Sequence, residues 1–319
     1  MFPHRAGWLA VVALAVAAAT AAILDATASG ASKPHAVSYR FRTLDNHRDV
    51  TFNELLGIND ELVIAGYFGS GATGHPNEGY LLFPPQYDQG DYRNLDFPGS
   101  AQTQVTGLND HGVYVGFGFG AGRHVTFGWY AKNGVFHEVN FPTGNQADQL
   151  GELLGVNNDD VAVGFYIDGS GNNHGFEYNI GTHRFSIVTE SGARSLVAAA
   201  GNNRGDVVGF YYTKPNSSHA VGFIRYRDRT SVKLTAPGAC STDALGVNDK
   251  DEVVGVYTPC GRSTALDGFT WTPQAGFTTV NDPNGVGTTI IDGVNDAGDL
   301  VGYYTTGHDD ITNGMLATP

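Results

Sequence analysis

The chain is a succession of short runs rich in Val, Leu, Ile, Tyr and Phe, each broken by a polar, glycine-rich stretch. Such runs, bounded by Asn, Asp and Gly, predict strands. One stretch shows the logic. Gln104-Val105-Thr106-Gly107-Leu108 is a β-prone run, and Asn109-Asp110-His111-Gly112 is turn chemistry, because Asn and Asp bond their own backbone and Gly accepts positive φ. Val113-Tyr114-Val115-Gly116-Phe117 returns as a second strand, and after a variable loop Thr126-Phe127-Gly128-Trp129-Tyr130 is a third. Asn133-Gly134 is a tight hairpin signal. Val135-Phe136-His137-Glu138-Val139 is a fourth strand, and Pro142-Thr143-Gly144 leads to the next unit.

The same order recurs six times. Asn59, Asn109, Asn157, Asn202, Asn248 and Asn295 each have Gly or Ala two residues earlier, and Gly followed by an aromatic or Val seven residues later. A period of 45 to 50 residues marks stacked supersecondary units. Four short antiparallel strands per unit, here A to D, describe propeller blades. Strand C opens repeatedly as Gly plus aromatic, at Gly79-Tyr80, Gly128-Trp129, Gly175-Phe176, Gly222-Phe223 and Gly268-Phe269. The glycines allow close backbone approach, and the aromatics fill the space between blades. The sixth copy has strands A, B and C but stops at Pro319 before a strand D, while Tyr39-Arg40-Phe41-Arg42-Thr43-Leu44-Asp45 is an orphan strand near the other end. The sequence therefore predicts an all-β fold, a six-bladed β-propeller of four-stranded antiparallel blades, closed by Tyr39–Leu44. Closure hides edges that would otherwise template aggregation.

Bulk properties refine this picture. A formal net charge of −14 argues against nucleic acid, since a chain that repels phosphate gains nothing from counterion release. It favours cationic partners, metal ions among them. Arg5, the apolar run Trp8–Leu24 and Ala26-Thr27-Ala28 fit a secretory signal over residues 1–28, with an uncleaved anchor as the competing reading. A leader over 29–37 and a propeller over 38–319 follow, with no span in the mature chain. The expectation is a monomer outside the cytoplasm. Cys240 and Cys260 flank the turn at Asn248-Asp249-Lys250-Asp251 symmetrically, which would set them side by side on antiparallel strands as a disulfide.

These residues resemble the HAF-type extracellular repeat family, whose units run Gly-Ile-Asn-Asp-x-Gly-x-Ile-Val-Gly, then a loop, His-Gly/Ala-Phe and a Pro-Gly turn. Gly246-Val247-Asn248-Asp249 through Val253-Val254-Gly255 matches the first element and His174-Gly175-Phe176 the second; His219-Ala220-Val221 is a degraded copy. The resemblance covers residues 38 to 319. It implies an exported repeat protein and brings no general activity with it.

Three places carry candidate chemistry. The A–B turns, Asn59-Asp60 through Asn295-Asp296, are nearly uniform and need only a turn-capping role. The B–C loops differ between copies and offer His75, His124, Asp168, Asn172, His174 and His308 as ligand-binding residues. Those loops radiate outward, so their histidines are too far apart for one ~2 Å zinc shell. On the inner strand, three residues before the Gly or Ala, stand Glu54, Gln104, Glu152, Val197, Asp243 and Ile290. Glu54, Gln104, Glu152 and Asp243 could offer oxygens to Ca²⁺ or another divalent cation at a channel mouth. By architecture that arrangement looks like the metal-centred sugar-lactonase propellers.

No Gly-x-Ser-x-Gly elbow, His-Glu-x-x-His or phosphate-binding loop is present. The leading reading is a secreted binding module using the B–C loop face for a carbohydrate, peptide or partner protein. The alternatives are a divalent-metal-dependent, lactonase-like hydrolase and a structural cell-envelope protein.

Overall fold

The computed structural model describes residues 37–120, 126–141, 150–214, 217–262, 265–307 and 311–319. The apolar segment and most of the leader, residues 1–36, lie outside it, as do His124 and His308. The described chain forms six four-stranded antiparallel sheets arranged as a ring, a six-bladed β-propeller. Blade 1 runs Asn53–Ile58, Ile64–Phe68, Glu78–Leu82 and Tyr92–Asn94 in spatial order.

Blade 6 closes the ring as the orphan strand predicts. Its strands Thr289–Val294, Leu300–Thr306 and Ile311–Thr318 are completed on the outside by Arg40–Thr43. Arg40 lies opposite Thr318 and Thr43 opposite Met315. The pairing continues past the strand, where Leu44 N donates to Gly314 O and Gly314 N donates to Asp45 Oδ1, both at 2.9 Å.

Close packing explains the repeated glycines. A Cβ on Gly116 would stand 2.0 Å from the carbonyl oxygen of Gln104, so strand B lies against strand A only where a side chain is missing. A Cβ on Gly107 would stand 2.9 Å from the Cα of Gly155, where neighbouring inner strands meet. Between blades the strand C aromatics Tyr80, Trp129, Phe176, Phe223 and Phe269 are all at most 1% exposed. Full burial of such a side chain is worth about 1.5–3 kcal/mol. Six of the seven apolar clusters each fill one seam; the seventh, with Phe165, Val197 and Phe210, borders the central channel.

The disulfide forms between Cys240 and Cys260, with Cα atoms 4.9 Å apart. It ties the start of strand A to the end of strand B in blade 5, where Ala239 pairs with Pro259.

Candidate ligand-binding site at the ring closure

The two faces of the ring are built differently. On the A–B face each repeated Asn caps its own turn through Oδ1, as when Val63 N donates to Asn59 Oδ1 at 2.8 Å. Its Nδ2 then donates to the carbonyl of the next blade's Asn. The steps run Asn59 to Asn109, Asn157, Asn202, Asn248 and Asn295, and the last, at 3.4 Å, returns to Asn59. A second closed circuit runs beside it. The backbone N–H groups of Asp60, Asp110, Asn158, Asn203, Asp249 and Asp296 each donate to the side chain of the following blade's equivalent, at 2.7–3.0 Å. The turn Asn residues are thus caps, as expected, and also the stitches between blades.

Below this rim the channel is lined by Leu56, Thr106, Leu154, Ala199, Leu245 and Asp292. Each is an unpaired residue at a β-bulge just before the inner-strand Gly or Ala. Sequence reasoning passed over Asp292 because it looked two positions earlier, at the level of Glu54. Burial raises the Asp292 carboxyl well above its ordinary range, with the charge of Glu54 adding to it. Burial likewise pushes Glu54 to about 7 against the hydroxyl of Tyr67, which donates to it at 2.6 Å. Burial pushes Glu152 to about 8 and Asp243 to about 7. Gln104, the fourth candidate oxygen ligand, donates its amide to Asn77 Oδ1 at 3.1 Å and braces blade 1's B–C loop. Among the described residues no three His, Cys, Asp or Glu side chains gather closely enough to hold a metal ion.

On the B–C face the described candidate histidines of the sequence are paired. His75 Nδ1 lies 2.6 Å from Asp49 Oδ2. In blade 3, His174 Nε2 lies 2.9 Å from Asp168 Oδ2 and its ring stacks on Tyr166. The His174 hydrogen bond, with backbone N–H groups of Asn172 and Ser170, holds the Asp168 carboxyl well below the usual range. Asn172 and Asp168 close this short loop on itself. These pairs fix the loops in shape, and they sit on different blades.

A groove of about 480 Å³ opens at the seam where blade 6 meets blade 1, on the B–C side. It is lined by Asn46, His47, Arg48, Phe68, Tyr80, Gln89, Tyr92 and Asn94. One wall is the crossover from the closing strand into blade 1, held by its own side chains. Arg48 N donates to Asn46 Oδ1, Asn46 N to Asn53 Oδ1, Thr51 N to Asp49 Oδ1, and Asn53 Nδ2 to Asp49 O. Gln89 clamps the wall from outside, accepting from His47 N and donating to Asp45 O. The opposite wall is Tyr92 and Asn94, and Glu78 stands beside Asn94. Arg48 bridges them: its Nη2 lies 2.8 Å from Glu78 Oε2, and its guanidinium stands over the Phe68 ring at 5.1 Å. Asn94 reaches the same Glu78 oxygen at 3.4 Å.

Sequence reasoning missed this groove because one wall of it, Asn46 to Arg48, precedes the first repeat. Asn46-His47-Arg48 was the available signal, a polar stretch where later crossovers carry Phe97-Pro98-Gly99 or Pro237-Gly238. Blade 1 is also alone among the five blades with an aromatic opening strand C in placing Asn opposite it. Tyr80 faces Asn94, whereas Glu138, Ile187, Lys233 and Thr279 face the aromatics of blades 2 to 5.

No protein-family model matches the chain, and no curated protein matches it by sequence. Solved structures match it by shape. SapL1 lectin, in complex with alpha methyl fucoside, is 8% identical with a TM-score of 0.55, covering 86% of this chain and 96% of that one. AofleA from Arthrobotrys oligospora is 10% identical at a TM-score of 0.50, covering 88% and 86%. TolB from Acinetobacter baumannii is 8% identical at 0.50, covering 85% of this chain and 64% of TolB. At such identities the likeness is one of fold.

Proposed function

We propose that the protein is an extracytoplasmic binding module that takes its ligand on the B–C face, in the groove at the ring closure. The observation that carries this reading is the groove itself: a cavity of about 480 Å³, within the ~300–1,000 Å³ usual for ligand sites, combining aromatic rings with a few fixed polar groups. Its crossover wall is braced before any ligand arrives, which lowers the ordering cost of binding. The opposite face supports the division of labour, because its side chains are consumed in the two closed circuits. Export agrees with the disulfide, which an oxidising compartment preserves, and with the resemblance to exported repeat proteins. A lectin shares the fold.

The test is an array of glycans and peptides probed with the purified propeller and with Asn94→Trp, which plugs the groove. Specific signals that vanish in Asn94→Trp, with unchanged melting temperature, are expected. Signals that persist in Asn94→Trp would place binding elsewhere.

A further inference from the structure

The geometry points to a neutral saccharide as the ligand of this groove, an inference that rests on the binding reading above and narrows it to one chemistry. Three features of the site select for it. First, the half-buried Tyr92 brings ring surface to the cavity, with Tyr80 and Phe68 buried beside it, and the C–H face of a pyranose is the kind of flat, weakly apolar surface that an aromatic ring covers.

Second, Arg48 and Glu78 present a donor fork and an acceptor 2.8 Å apart. Vicinal hydroxyls match such a pair, one accepting from the guanidinium while its neighbour donates to the carboxylate. Asn94 and His47 add further polar partners at the wall. A hydroxyl both donates and accepts, so a polyol satisfies every member of such a mixed set. A hydrophobic peptide side chain would leave these groups unpaired, at a cost.

Third, the charge is balanced. Arg48 is already neutralised by Glu78, and the chain carries a net charge of −14. A uronate, sulfate or phosphate would have to displace Glu78 and then sit against an acidic protein. A neutral sugar needs neither. The guanidinium is also fixed before binding by Phe68 beneath it and Glu78 beside it, so little side-chain freedom is lost when the ligand docks.

The test is titration of the whole propeller with methyl glycosides of neutral sugars and with glucuronic acid, read by saturation-transfer NMR and calorimetry. At least one neutral glycoside is expected to bind, and glucuronic acid to bind more weakly. Arg48→Met, which keeps the apolar stem over Phe68, is expected to weaken the neutral glycoside about tenfold or more, since a hydrogen bond to a charged group is worth that much. Glu78→Gln is expected to narrow or invert the preference, because it frees the Arg48 charge for an anion. A merely structural role for Glu78 would not move that ratio. His174→Ala, on blade 3, is expected to leave affinity unchanged. If all neutral glycosides fail while array peptides still bind and are blocked by Asn94→Trp, the saccharide assignment falls and the binding reading stands. If glycosides bind equally well to Arg48→Met and Asn94→Trp, the groove is not their site. Glucuronic acid binding more tightly than every neutral glycoside would also overturn the inference.

Discussion

Each turn asparagine uses its amide twice, accepting from its own turn and donating to the next blade, and both atoms are buried against water. Asn157→Asp keeps the acceptor for Val161 N but replaces the donor to Asn202 O with a second oxygen. Leaving that carbonyl unpaired and facing a carboxylate is expected to cost about 1–3 kcal/mol. Urea denaturation checks it, and a change below ~0.5 kcal/mol would mean the circuit adds nothing beyond turn capping. The channel carboxyls make a second residue-scale prediction. Glu54, Glu152 and Asp243 are pushed up to about 7, 8 and 7 by burial, whereas an unfolded carboxylate titrates near ~4. Between those values the folded protein holds more protons than the unfolded chain. The stability from these groups is complete below ~pH 4 and drains away as pH rises towards 8. The protein is therefore expected to melt at a higher temperature at pH 5 than at pH 8. Glu152→Gln should flatten that slope and raise the pH 8 value; a melting temperature that climbs from pH 5 to pH 8 would contradict the burial of these groups.

The closing strand decides whether the ring is a ring. Removing residues up to Leu44 would expose the edge of Ile311–Thr318 and strip Tyr39 and Phe41 from the apolar seam between blades 5 and 6. The truncated chain is expected to lose cooperative unfolding and to aggregate, as size-exclusion chromatography and calorimetry would show. The disulfide acts more locally. Cys240→Ser with Cys260→Ser opens a loop of 20 residues and is expected to cost about 3 kcal/mol without loss of the fold. The blades, their number, the closing strand and this bridge were legible because each rests on local chemistry: a hairpin turn, an alternation, a missing strand, a symmetric spacing about residue 250. The channel carboxyls were legible one by one, and their separation was not. Distance across the axis depends on ring diameter, and the level of each residue depends on a β-bulge that no residue type announces. The bond from Gln104 to Asn77, 27 residues away in another blade, was hidden for the same reason.

At the scale of the molecule, repetition and exception occupy opposite faces. The A–B face spends its polar groups on itself, six blades in two closed circuits. The B–C face gathers the departures from the repeat, and the deepest departure falls at the seam that chain closure creates. Asn46, Arg48, Phe68, Glu78 and Asn94 meet there because the strand that completes the last blade runs straight on into the first, a juxtaposition invisible to any reading of one copy at a time. Hydrogen–deuterium exchange with saturating glycoside tests this account most directly. New protection is predicted in two segments, residues 45–52 and 78–94, with the A–B turns and blade 3 unchanged. Protection centred on the turns around Asn59 and Asn295, or spread evenly over all six B–C loops, would contradict it.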